Sequence, residues 1–129
     1  MTGRDLPLPT EAELELLRVL WTRGPSTVRE VLDGLGARRP GYTTVLKLLQ
    51  IMHAKGLVVR NVEARSHVYA ASIPRESTQR RLVSDLVDRA FGGSAAKLVL
   101  NALPAQATTP EERAEIRALL ERMAGEDDA

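Results

Sequence analysis

Cysteine is absent from the 129 residues, so no disulfide framework, thiolate metal site or thiol nucleophile is available, and sensing through sulfur is excluded. The two histidines, His53 and His67, are a poor start on a zinc site, and no acid is placed beside either in sequence. No Ser-His-Asp spacing and no glycine-rich phosphate loop stands out, so neither metal, cofactor nor catalytic residue is expected and the chain does not read as an enzyme. Aromatic residues are nearly as scarce. Trp21, Tyr42, Tyr69 and Phe91 are too few for the stacking platforms of single-strand or RNA recognition, which leaves duplex DNA as the nucleic acid to consider. No apolar run approaches the roughly 20 residues of a bilayer-spanning helix, and residues 1–5 lack the basic-then-apolar layout of a signal peptide. The expectation is a cytoplasmic protein without membrane insertion.

What remains is an ordinary globular composition, 43% hydrophobic and 27% charged, enough for one domain or two small ones. The net charge of +1 conceals an asymmetry. Residues 1–72 hold ten Lys or Arg against seven Asp or Glu, whereas residues 73–129 hold eight against ten. Six of the basic residues (Arg38, Arg39, Lys47, Lys55, Arg60, Arg65) fall within 38–67, where Glu63 is the one acid. Such a cluster is either a solvated face or a footprint for nucleic acid, and the local structure must decide.

Thr10 and Glu13 are spaced as a capping box and predict a helix from Glu11, with Leu14, Leu17, Leu20 and Trp21 as its apolar stripe. Gly24-Pro25 stops it. Ser26 or Thr27 caps a short second helix to about Leu35, with Thr27 and Glu30 again spaced as a capping box and Val28, Val31, Leu32 and Leu35 on its buried side. A glycine- and proline-rich loop carrying Arg38-Arg39 leads into a third helix, about 42–55. At 100° per residue its Val45, Leu48, Leu49 and Met52 face the core, while Thr43, Lys47, Gln50 and Ala54 point outward. That outer face offers hydroxyls, an amide and a cation, the chemistry that meets phosphates and base edges in a major groove.

Gly56 is placed to end this helix in a left-handed conformation; residues 57–61 and 67–71 then read as two strands of an antiparallel hairpin whose tip carries Glu63 and Arg65. His53 fits a favourable site at the end of helix 3, and His67 the surface of a strand. From Ile73 the pattern is helical again. Leu82, Val83, Leu86, Val87, Ala90 and Phe91 line a fourth helix. Ser94 caps a fifth, apolar almost all round and so expected to be buried, followed by a linker over 104–108. Thr109-Pro110-Glu111-Glu112 opens a sixth helix, to about Met123, before a frayed acidic end. Residues 73–129 are marginal for a core of their own, which a partner chain would complete.

The expected fold is therefore mainly α with a small β-hairpin: a winged helix-turn-helix over residues 1–72, then a helical domain over 73–129 with an acidic tail. In that architecture helix 3 enters the major groove, the wing touches the neighbouring backbone, and a two-fold dimer presents both to half-sites.

Several segments resemble the penicillinase repressor family: Pro9-Thr10-Glu11-Ala12-Glu13-Leu14-Glu15, Val19-Leu20-Trp21, Thr27-Val28-Arg29-Glu30-Val31, Tyr42-Thr43-Thr44-Val45 and Lys55-Gly56-Leu57. The resemblance covers nearly the whole chain. It implies a homodimeric winged-helix transcriptional repressor of a double-stranded DNA operator, and the apolar faces of helices 4 to 6 would then hold the dimer through Leu82, Leu86, Val87, Phe91, Leu98, Ile116, Leu119 and Leu120. Tyr42, Thr43 and Thr44 then fall near the start of the recognition helix with Lys47 one turn on, and the outer face adds Gln50. Arg38, Arg39 and Arg65 are the candidate phosphate contacts. Where family members often carry a basic residue, this chain has Ile51.

Relatives that respond to β-lactams are inactivated when a protease of a membrane sensor pathway cuts an Asn-Phe bond in the dimerisation region. Here Leu98-Val99-Leu100-Asn101 is followed by Ala102, so Asn101 and Ala102 flank the candidate cleavage site, although Asn101 also suits a polar position near a helix end. Copper-responsive relatives carry a cysteine-rich motif that this chain lacks. The alternative use of such a fold is a winged-helix module for protein contacts or transcription accessory functions, since fold alone does not fix the ligand.

Overall fold

The computed structural model describes residues 6–37, 40–63 and 65–128. Among these, six helices and three strands follow in the order α1 (Glu11–Arg23), β1 (Ser26–Thr27), α2 (Val28–Gly34), α3 (Tyr42–Lys55), β2 (Val58–Asn61), β3 (Val68–Ala71), α4 (Arg75–Ala90), α5 (Ala95–Ala105) and α6 (Pro110–Asp127). Two compact units result, Met1–Ser84 and Asp85–Ala129.

The helix starts obey their local chemistry. Thr10 with Glu13, Thr27 with Glu30 and Thr109 with Glu112 all close reciprocal capping boxes, each satisfying two backbone N–H groups that the helix leaves without partners. Gly56 ends α3 at φ 85° and ψ 9°, a conformation open to glycine because it has no Cβ. Gly34 ends α2 against α1: a Cβ there would lie 2.6 Å from Val19 Cγ1.

In the first unit α1, α2 and α3 enclose a core of Leu16, Leu17, Leu20, Val28, Val31, Leu32, Val45, Leu49 and Met52, closed by Leu57, Val58 and Tyr69 from the sheet side. The buried stripe of α1 differs from the expected one. It runs Glu13, Leu16, Leu17, Leu20, while Leu14 is half-buried. The sheet also has three strands, in the order β1-β3-β2 and all antiparallel, and not two. Ser26 pairs with Tyr69 and Thr27 with Val68, so the residues that cap α2 also extend the hairpin.

The chain leaves the sheet firmly anchored. The Trp21 indole N–H donates to the Ile73 carbonyl at 2.9 Å, the Arg75 guanidinium lies 6.0 Å from the Trp21 ring centre, and Thr78 is buried. Arg81 donates to the Leu6 carbonyl at 2.8 Å. The first turns of α4 therefore pack with α1 as part of the first unit.

In the second unit α5 departs from expectation. None of its residues is buried, and Val99, Leu100 and Leu103 are exposed, Leu100 by 72%. Leu98 and Ala102 are half-buried. The helix also continues to Ala105, because Pro104 sits in the last turn and interrupts only the end of the hydrogen-bond ladder. The acidic end is likewise helical, with α6 running to Asp127.

Candidate nucleic-acid interface

The outward surface of α3 is built by the burial of its opposite side. With Val45, Leu49 and Met52 fixed in the core, the 3.6-residue repeat sends Thr43, Thr44, Lys47, Gln50, His53 and Ala54 to the surface, and all are exposed. No residue of α3 is acidic. Its N-cap is Gly41, which supplies no side-chain hydrogen bond, so the positive end of the helix dipole is left open where the capping hydroxyls of α1, α2, α5 and α6 close theirs.

The sequence reading missed a cation beside this end. Arg29, exposed on the first turn of α2, holds its guanidinium 5.2 Å from the centre of the Tyr42 ring. Tyr42, the first residue of α3, is itself 44% exposed. A guanidinium over a ring is attracted by the face of its π system, and its N–H groups can still donate to a ligand. The contact depends on how α2 and α3 cross, which residue spacing along one helix does not disclose. Arg29-Glu30 following Thr27 was the only trace of it in the chain.

One of the clustered cations does not belong to this surface. Lys55 Nζ donates to both carboxylate oxygens of Glu13, at 3.0 and 2.8 Å, and Glu13 Oε1 also accepts from the Thr10 N–H at 2.9 Å. Glu13 is 1% exposed, so the pair clamps the end of α3 to the start of α1. Burial, the largest single influence, pushes the Glu13 carboxyl up, but the Lys55 ammonium and the Thr10 hydrogen bonds together outweigh it and hold its pKa below 4.5. A depressed carboxylate stabilises the fold fully above its free value near 4.5 and loses that contribution as pH falls through the folded value. With Lys55 about a third exposed, we expect Glu13→Gln to cost about 1–3 kcal/mol at neutral pH, discounted from a fully buried pair. Thermal unfolding measured at pH 7, 5 and 3 should show the gap between the two proteins closing below pH 4.5. A gap that widened in acid would show that the Glu13 carboxylate is not what the fold gains.

Arg65 is exposed at the tip of the hairpin, where the Glu63 N–H donates to Asn61 Oδ1 at 2.9 Å and tightens the turn. Arg38 and Arg39 lie outside the described residues. Arg60, counted with the basic cluster, is half-buried on β2 directly opposite Tyr69. The structure thus brings Arg29, Tyr42, Thr43, Thr44, Lys47 and Gln50 onto α2 and α3, and puts Arg65 on the hairpin.

The expected dimer residues are spread over three helices and the turn after α4, which ends at Ala90, so that Phe91 falls just past the helix expected to carry it. Leu86, Leu119 and Leu120 are exposed, Leu82, Phe91, Leu98 and Ile116 are half-buried, and Val87, 8% exposed, has little surface left to offer. Val83, Val99, Leu100, Leu103 and Met123, which lie on the apolar faces of the same helices, are exposed as well. Asn101 is exposed on α5 with its side-chain amide donating to the Lys97 carbonyl at 2.7 Å, and Ala102 beside it is half-buried. Among the described residues no helix is long and apolar enough to cross a membrane, and no group of three or more His, Asp or Glu is placed to hold a metal ion.

Three helices closed by a three-stranded sheet, with an exposed acid-free third helix and an arginine-tipped hairpin, define a winged helix-turn-helix of the transcription-regulator type. The chain belongs to the penicillinase repressor family, whose model matches residues 9–122. It is 33% identical over 117 residues to the transcriptional regulator BlaI of Mycobacterium tuberculosis, covering 89% of this chain and 85% of that protein. It is 25% identical over 119 residues to the penicillinase repressor of Bacillus licheniformis, covering 92% of this chain and 93% of that one.

Proposed function

We propose that the protein is a homodimeric repressor that binds a palindromic operator, with α3 in the major groove and the β2–β3 hairpin on the adjacent backbone. The observation that carries this reading is the exposed face of α3. It presents Thr43, Thr44, Lys47 and Gln50 without an acid, beside the Arg29–Tyr42 stack. Arg29, Arg65 and the loop residues Arg38 and Arg39 contact phosphates and set register, while the α3 hydroxyls and amide read base edges. Residues 73–129 form the dimerisation domain: Val83, Leu86, Val99, Leu100, Leu119, Leu120 and Met123 are exposed apolar side chains that a second copy would cover.

Substitution separates the two kinds of contact. Thr43→Ala or Thr44→Ala should relax operator choice by about 1–3 kcal/mol, whereas Lys47→Ala should weaken binding to all duplexes alike and reduce the salt dependence. Binding of a random duplex pool, followed by sequencing of the bound fraction, reads both effects. Unchanged selection and affinity in all three variants would take α3 out of the groove.

Release follows from cutting between Asn101 and Ala102. The bond lies on an exposed helix whose Pro104 offers no N–H to the Leu100 carbonyl, so the turn that a protease must unwind is short of one hydrogen bond. Intact-mass measurement of the repressor recovered from β-lactam-treated cells should then show a fragment ending at Asn101. Recovery of full-length chain alone, while the regulated genes are induced, would require a different release.

A further inference from the structure

Ile51 is a large apolar side chain left in water on the face of α3 that otherwise carries polar and cationic groups. It is 39% exposed and stands one turn beyond Lys47 and two turns beyond Thr44, so the three form one stripe along the helix. The fold does not require it there. The core side of α3 is already filled by Val45, Leu49 and Met52, and a β-branched residue on an exposed helical position slightly disfavours the helix. A single exposed isoleucine on an ordinary surface needs no explanation. Here its neighbours in the stripe are a hydroxyl and an ammonium, and the whole helix is free of acids.

In a major groove the apolar feature that a base edge presents is the C5 methyl of thymine. We propose that Ile51 packs against a thymine methyl in each half-site and selects T·A in one orientation at that position. The inference rests on the reading of α3 as the groove helix and adds to it a specificity-determining contact. Thr44 and Ile51 are separated by about 10 Å along the helix axis. That is about three base-pair steps, so Ile51 meets a different pair from the one beneath Thr44. The contact removes apolar surface on both sides from water, where a cation at the same place would donate to guanine or to a phosphate.

The test uses the full-length protein and removes the methyl from the DNA. Duplexes selected from a random pool are resynthesised with deoxyuridine replacing thymine one position at a time, in both half-sites, and bound to wild type and to Ile51→Ala. We expect one thymine position whose demethylation lowers wild-type affinity about fourfold per half-site, the worth of roughly one buried methylene. Ile51→Ala should lose a similar factor on the thymine duplex and be insensitive to the deoxyuridine change. Because Ile51 is exposed, the variant's melting temperature should match wild type, and a matched value makes the comparison valid. Equal sensitivity of both proteins to every deoxyuridine, or no sensitive position in wild type, would overturn the Ile51 contact and leave the groove reading standing. No enrichment of any sequence by wild type would overturn both.

Discussion

Raising the salt from 50 to 200 mM should weaken binding to a selected duplex by about a thousandfold or more. Arg29, Lys47 and Arg65 stand exposed, and in the proposed dimer two-fold symmetry would double these together with the candidate contacts Arg38 and Arg39. Each phosphate neutralised contributes about −0.9 to the slope of log affinity against log salt, so the dimer falls in the range of about six to ten contacts. Arg29→Ala removes one contact per protomer and should flatten that slope by about two units per dimer. Replacing the pair together, as Glu13→Gln with Lys55→Met, should leave the slope unchanged, because the Lys55 ammonium is committed to Glu13 at 2.8 Å. A flat salt response of the wild-type protein would favour a winged helix used for protein contacts.

The second large effect is expected from Leu100→Asp. Leu100 is 72% exposed in the protomer, so a carboxylate there costs the monomer little. Across a symmetric interface the same change buries two like charges, at several kcal/mol for each unpaired ion. Sedimentation should show a monomer at concentrations where the wild type is a dimer, and affinity for the full operator should fall by orders of magnitude, since a single half-site retains only its own contacts. Leu86→Asp, on the exposed side of α4, probes the same interface from a second helix. A Leu100→Asp protein that still sediments as a dimer would exclude α5 from the contact.

Much of the fold was legible in the chain because its signals are local. The three capping boxes each span four residues, Gly56 marks the end of α3, and the bounds of α3 follow from turn residues on one side and glycine on the other. What escaped depends on contacts between distant segments. β1 is two residues long, and Ser26 finds its partner Tyr69 far along the chain, so no alternation could reveal it. Glu13 read as a capping residue and nothing more, although its spacing to Leu16, Leu17 and Leu20 places it on the buried stripe. Once there, the carboxylate needs a cation, and this is why Lys55 turns inward from a cluster that looked uniformly available. The apolarity of α5 was read correctly, but apolarity specifies only that a surface avoids water, not that its own chain supplies the cover. The candidate interface was legible in part for a related reason: the outward residues of α3 follow from periodicity, and the Arg29–Tyr42 stack does not.

The chain carries one tryptophan, and its indole is tied to the carbonyl of Ile73 beneath the guanidinium of Arg75. That makes Trp21 an intrinsic fluorophore seated where α4 joins α1. Loss of the 2.9 Å hydrogen bond admits water to the ring and should shift its emission to the red. Separation of the start of α4 from α1 can therefore be followed by emission in unlabelled protein, with Arg75→Ala as the variant that alters the signal without replacing the fluorophore.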